Sequence, residues 1–202
     1  MKLAICNEMF EDWKIGDVFT CAAELGYDAV EIAPYTLSES VVDITQAERD
    51  RIKKAAEDAK IEIAGLHWLL ISPKGLYVNH PDAEIRAKTR DYFLALIQCC
   101  ADLDGKIMVI GSPNERNVLK PLTYDEAWEY ARETFSECAT FAEEKDVILC
   151  MEPLSTQNTN FITTPAEAVR MVKAVNNPNF QIILDVTSTA RIDFIAVSRD
   201  PV

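Results

Sequence analysis

The feature that most constrains this chain is a rhythm: six short apolar runs, at residues 2–6, 29–33, 61–66, 107–110, 147–151 and 180–184, alternate with longer amphipathic stretches. Hydrophobicity within each run is nearly continuous rather than alternating, which is what a strand covered on both faces requires, so the runs read as parallel strands. Parallel neighbours cannot be joined by a tight turn, and each intervening stretch becomes a helical crossover.

Those stretches carry helix signals. The first ends at Leu25-Gly26, where glycine accepts the left-handed cap. The second opens at Thr45 with Glu48 three residues on, the pattern of a capping box, and runs to about Lys60. The third starts near Pro81-Asp82 and keeps Ile85, Tyr92, Leu96 and Leu103 on one apolar stripe. The fourth follows Thr123, with Asp125 and Glu126 in its first turn, and the fifth follows Thr164-Pro165.

Strict β-α alternation leaves an open doubly wound sheet or a closed barrel. Glycine-rich phosphate loops are missing from a chain with only 6 glycines, which weakens a nucleotide-binding sheet. The expected fold class is therefore α/β, a TIM (β/α)₈-type barrel. A complete barrel takes about 250 residues, so 202 residues with six clear βα units read as an incomplete one. Residues 1–202 are expected to form a single domain with an atypical tail from about 187, in which 191–197 could supply a seventh strand.

A net charge of −13 argues against nucleic acid or anionic membrane as partner, since both demand clustered Lys and Arg. The 6 cysteines form no CxxC pair and fall mostly in apolar runs, as buried reduced thiols do. The start, MKLAICNEMFEDW, turns acidic too early for a secretory segment, and no apolar run nears the roughly 18 residues of a membrane span. A cytoplasmic location is expected.

The chemistry gathers where strands end. Glu31 closes AVEIAP, His67 follows IAGL, Gly111-Ser112 follow MVI, Glu152 follows ILCM and Asp185 follows IIL. In a parallel barrel these positions share one rim, the rim at which such barrels do their chemistry. Singly, a strand-end carboxylate can serve only to cap the next helix. Together, carboxylates and one imidazole suit Mn²⁺, Mg²⁺ or Co²⁺, and also Zn²⁺. The loop at 69–81 is long enough to cover part of the rim. Trp13, Tyr35 and Trp68 lie in rim-side segments, where they either stack on a sugar or pack in the core. Asn114 to Asn117 read as a substrate-facing loop or a solvated turn, with Arg116 able to pair with an anion.

The segments GYDAVEIAP, GLHW followed by SPKGL, GSPNERN, MEPLSTQNTNFITTPAEA and NFQIILDV make residues 1–186 resemble the xylose isomerase-like TIM-barrel family. That family includes ketose 3-epimerases, hydroxypyruvate isomerase, inosose dehydratase and endonuclease IV. The resemblance implies a divalent metal held by Glu152 and Asp185, with Glu152 also a catalytic acid/base carboxylate and His67 toward substrate; by their places at the rim, Glu31 and Arg116 are expected to bind substrate as well. It implies a metal-dependent isomerase or epimerase of a small sugar or sugar phosphate. Endonuclease chemistry does not fit an acidic chain with 2 histidines.

The same resemblance exposes a departure. The family's strand-seven His and strand-eight Glu have no counterpart, because no histidine follows His80 and no glutamate follows Glu167. The alternative is a truncated or degenerate member that keeps the scaffold without catalysis. Open sheet edges make a homo-oligomer plausible.

Overall fold

The computed structural model describes residues 2–185. Six strands alternate with five helices: β1 (Ala4–Cys6), α1 (Ile15–Glu24), β2 (Ala29–Ile32), α2 (Gln46–Ala59), β3 (Glu62–Leu66), α3 (Ala83–Asp102), β4 (Ile107–Ile110), α4 (Tyr124–Glu144), β5 (Ile148–Met151), α5 (Pro165–Val175) and β6 (Phe180–Ile182). All neighbours pair in parallel, in the order β1-β2-β3-β4-β5-β6. A doubly wound sheet reverses its strand order at a switch point. This order never reverses, so the winding is that of the barrel. The expected tail and seventh strand lie outside the described residues.

Successive side chains of a strand point to opposite faces. One set, including Val30, Ile32, Leu66, Met108, Ile110, Leu149, Met151 and Phe180, joins Phe19, Phe93, Leu96, Phe135 and Met171 of the helices in one core cluster. Each such Leu, Ile or Phe contributes roughly 1.5–3 kcal/mol by leaving water. The other set, including Ala29, Val109 and Cys150, is buried but belongs to a different face. The continuous apolar runs thus reflect two different coverings, helices on one side and the sheet's own concave side on the other.

The caps follow the sequence at α4 and α5, where Thr123 with Glu126 and Thr164 with Glu167 close complete capping boxes. At α3 the Asp82 side chain accepts from Glu84 N–H. Helix α2 does begin after Thr45, but its box is not formed: Glu48 N–H donates to the Thr45 carbonyl at 2.9 Å, so the hydroxyl is not used as a cap. Gly26 takes the positive φ of 86° expected after α1.

The long connection after β3 is tied down. Leu69, Leu70, Leu76 and Val78 are buried, Val78 N–H donates to the Glu115 carbonyl at 2.8 Å, and Leu70 N–H donates to Ser112 Oγ at 3.1 Å. These bonds join the β3 and β4 ends of the rim.

Candidate active site

The register of the first three strands assembles one part of the site. Cys6 is opposite Glu31, and Glu31 is opposite Gly65. His67 lies two residues beyond Gly65, on the same face. Gly65 is obligatory here: it has φ +155°, and a Cβ would meet the Ile107 carbonyl oxygen at 1.7 Å. His67 Nδ1 and Glu31 Oε2 are 3.1 Å apart, with side chains 28% and 22% exposed. Ligating atoms of Cys6, Glu31 and His67 all lie within 4.8 Å of one another. Burial disfavours charge on the His67 ring, but the hydrogen bonds the ring donates to Cys6 and Glu31, and the negative charge of those partners, outweigh it, lifting its pKa from 6.5 to about 10. At neutral pH the ring is a cation.

The last three strands supply the carboxylates. Glu152 follows β5 directly and is 6% exposed, with its N–H donating to the Ile110 carbonyl at 3.2 Å. Gly111 leaves room for it, since a Cβ there would sit 2.7 Å from Glu152 Oε2. Asp185 comes three residues after β6. A cavity of about 240 Å³ gathers His67, Trp68, Glu152 and Asp185 with Glu8 and Asn158. The Trp68 ring stacks on His67 at 5.7 Å, and its buried Nε1–H has no hydrogen-bond partner among the described residues. A buried donor left unpaired costs about 1–3 kcal/mol, so a ligand oxygen that meets it is favoured.

Of the five residues expected at the site, His67, Glu152 and Asp185 share this cavity, while Glu31 stands behind His67 as its ionic partner. Arg116 is elsewhere. It is 1% exposed, and its guanidinium donates to the carbonyls of Glu152 at 2.8 Å, Ile110 at 3.4 Å and Ile162 at 3.4 Å. Burial lowers its pKa to about 10, against the raising influence of Glu152, and the group stays protonated near neutrality. Arg116 therefore clamps the ends of β4 and β5 to the loop at Ile162 instead of meeting an anion. Asn117 likewise turns inward, accepting from Thr159 Oγ1 and Asn160 N–H, each at 3.0 Å.

Sequence reasoning missed Cys6, Glu8 and Asn158. Cys6 was grouped with the buried thiols, yet it is only partly covered. Its signal was its position as the last residue of β1, the strand-end address that singled out the others. Trp13 and Tyr35 are 53% and 38% exposed and line a separate shallow cleft that shares Glu8 with the cavity. Among the described residues no helix is long and apolar enough to cross a membrane.

The comparisons with known proteins agree with the barrel winding. A family model described as xylose isomerase-like TIM barrel matches residues 19–192. The D-psicose 3-epimerase of Agrobacterium fabrum is 32% identical over 196 residues, covering 92% of this chain and 63% of that protein. The chain thus spans less than two thirds of that relative's length. A D-psicose 3-epimerase from Clostridium cellulolyticum H10, solved with D-tagatose, superposes with a TM-score of 0.82 at 22% identity, covering 100% of this chain and 67% of that one. An L-ribulose 3-epimerase does so with 0.80 at 15%, covering 96% and 64%. At such identities the two structures establish a shared fold. With the profile of one family running through five of the six strands and the strand ends that bear Glu31, Glu152 and Asp185, this chain belongs to the xylose isomerase-like TIM-barrel family.

Proposed function

We propose that the site is built for sugar epimerase or isomerase chemistry, the removal and return of a proton on the carbon next to a ketose carbonyl. The observation that carries this reading is Glu152, a nearly buried carboxylate at a strand end, in one cavity with Asp185, His67 and the unpartnered Trp68 N–H. Glu152 takes the proton, leaving an enediolate, and gives it back to the same or the adjacent carbon. The cationic His67 and the Trp68 N–H donate to substrate oxygens, while Glu31 holds the His67 ring. Returned by Glu152 from the same face to the same carbon, the proton only regenerates the substrate; inversion there needs a second acid on the opposite face, and delivery to the neighbouring carbon also needs a proton to pass between the two enediolate oxygens.

The donor set fits a divalent cation: Glu152 and Asp185 offer carboxylate oxygens to one cavity, as Mn²⁺, Mg²⁺, Co²⁺ or Zn²⁺ require. When bound, such an ion polarises the carbonyl and stabilises the enediolate. The similarity to D-psicose 3-epimerase makes ketohexoses the first substrates to try. The alternative expected from the sequence is a scaffold without catalysis, and experiment decides between the two.

The test is proton exchange. Ketohexoses are incubated with the protein in D₂O with Mn²⁺ or Co²⁺, and the carbon-bound proton signals beside the carbonyl are followed by NMR. Deuterium uptake that disappears in Glu152→Gln is expected. No uptake with any ketose would leave the scaffold reading.

A further inference from the structure

We propose that Cys6, Glu31 and His67 form a second metal site, one that takes a thiophilic divalent cation, Zn²⁺ or Co²⁺, on the β1–β3 side of the rim. The three residues come from three adjacent strands whose register aligns them, Cys6 against Glu31 and Glu31 against Gly65, two residues before His67. They offer one sulfur, one carboxylate oxygen and one imidazole nitrogen, all within 4.8 Å of each other, with His67 Nδ1 and Glu31 Oε2 at 3.1 Å.

Zinc bonds of about 2.0–2.3 Å at tetrahedral angles set donor separations of about 3.3–3.6 Å. With every pair within 4.8 Å, no separation has more than about 1.5 Å to close to reach them. Three protein ligands with a fourth position left for water is the pattern of reactive rather than purely structural zinc. All three residues are partly exposed, which gives the ion a way in. His67 also lines the cavity that holds Glu152 and Asp185.

The donor chemistry separates the two ends of the rim. A thiolate with an imidazole selects Zn²⁺ or Co²⁺, whereas a pair of carboxylates serves harder ions such as Mn²⁺ and Mg²⁺. Binding here releases the proton that Nδ1 shares with Glu31, so the ion replaces the Glu31–His67 pair rather than joining it, and the site can exist whether or not Glu152 moves a proton.

The experiment is Co²⁺ titration of the chelator-stripped full chain, read by absorbance. A thiolate-to-cobalt charge-transfer band is expected, together with displacement of the Co²⁺ by Zn²⁺. The band should vanish in Cys6→Ser, and Zn²⁺ binding should weaken by about tenfold or more in His67→Asn. Glu152→Ala should keep the band, which separates this site from the carboxylates. Zinc K-edge absorption of the unmutated protein needs no variant and should show one sulfur among the nearest neighbours. Absence of the band, its persistence in Cys6→Ser, or a zinc shell without sulfur would overturn the proposal.

Discussion

At the β1–β3 end of the rim the ionisable groups cluster against one another, with His67 reaching the cavity; at the β4–β6 end Glu152 and Asp185 line it. Glu31 and His67 form an ion pair with Cys6 beside them, while Glu152 and Asp185 line the opening with the Arg116 guanidinium fixed to backbone below them. Both ends are built by the same rule, a parallel strand delivering its next residue to one rim. What differs is the partner each residue meets. A carboxylate opposite an imidazole neutralises charge, and a carboxylate on the cavity wall lies where a substrate would enter.

Substitutions at the two ends should therefore fail in different ways. Glu152→Gln should lower deuterium exchange into a ketose by about 10²–10⁴-fold, the usual worth of a positioned acid or base, whereas Glu31→Gln should cost far less. NMR exchange rates decide this, and equal losses would erase the distinction between the ends.

Arg116→Ala should destabilise the fold by about 3 kcal/mol or more, because it opens a cavity and strips three carbonyls of a donor. Urea unfolding measures it. Weaker ligand binding at unchanged stability would return Arg116 to the substrate.

Gly111→Ala sets a Cβ 2.7 Å from Glu152 Oε2 and should displace that carboxylate. A shift of this kind lowers catalysis by about 10²-fold, with little effect on unfolding because a side-chain tip can yield. Exchange kinetics beside a denaturation curve test both halves of that statement.

The smallest effect is a pH dependence. The His67 pKa is about 10 in the fold against the ordinary 6.5, so its ion pair with Glu31 stabilises fully below pH 6.5 and is lost as the pH rises toward 10. For a partly exposed pair this amounts to about 1 kcal/mol. Melting temperatures across that range should fall more for the native protein than for His67→Gln.

The strands were legible because a sheet covered on both faces demands continuous apolar runs, and all six were found where hydrophobicity predicted them. Glu152, Asp185 and His67 were legible because a polar residue interrupting such a run has to face the rim. Cys6 was not, since a cysteine ending an apolar run does not interrupt it. Arg116 misled because a charged residue among Asn114, Glu115 and Asn117 reads as surface; its burial depends on the β5 end and the Ile162 loop, which are distant in sequence. Thr45 shows the same limit on a smaller scale, where a backbone carbonyl took the donor that the cap pattern assigned to a hydroxyl.

The central claim, that the carboxylate end of the rim is a distinct cation site, is tested most directly by calorimetric titration of the metal-stripped chain with Mn²⁺, run beside Glu152→Ala and Cys6→Ser. Binding in the native chain that is lost in Glu152→Ala and kept in Cys6→Ser is the predicted result. No binding at all, or binding that survives Glu152→Ala, would contradict it.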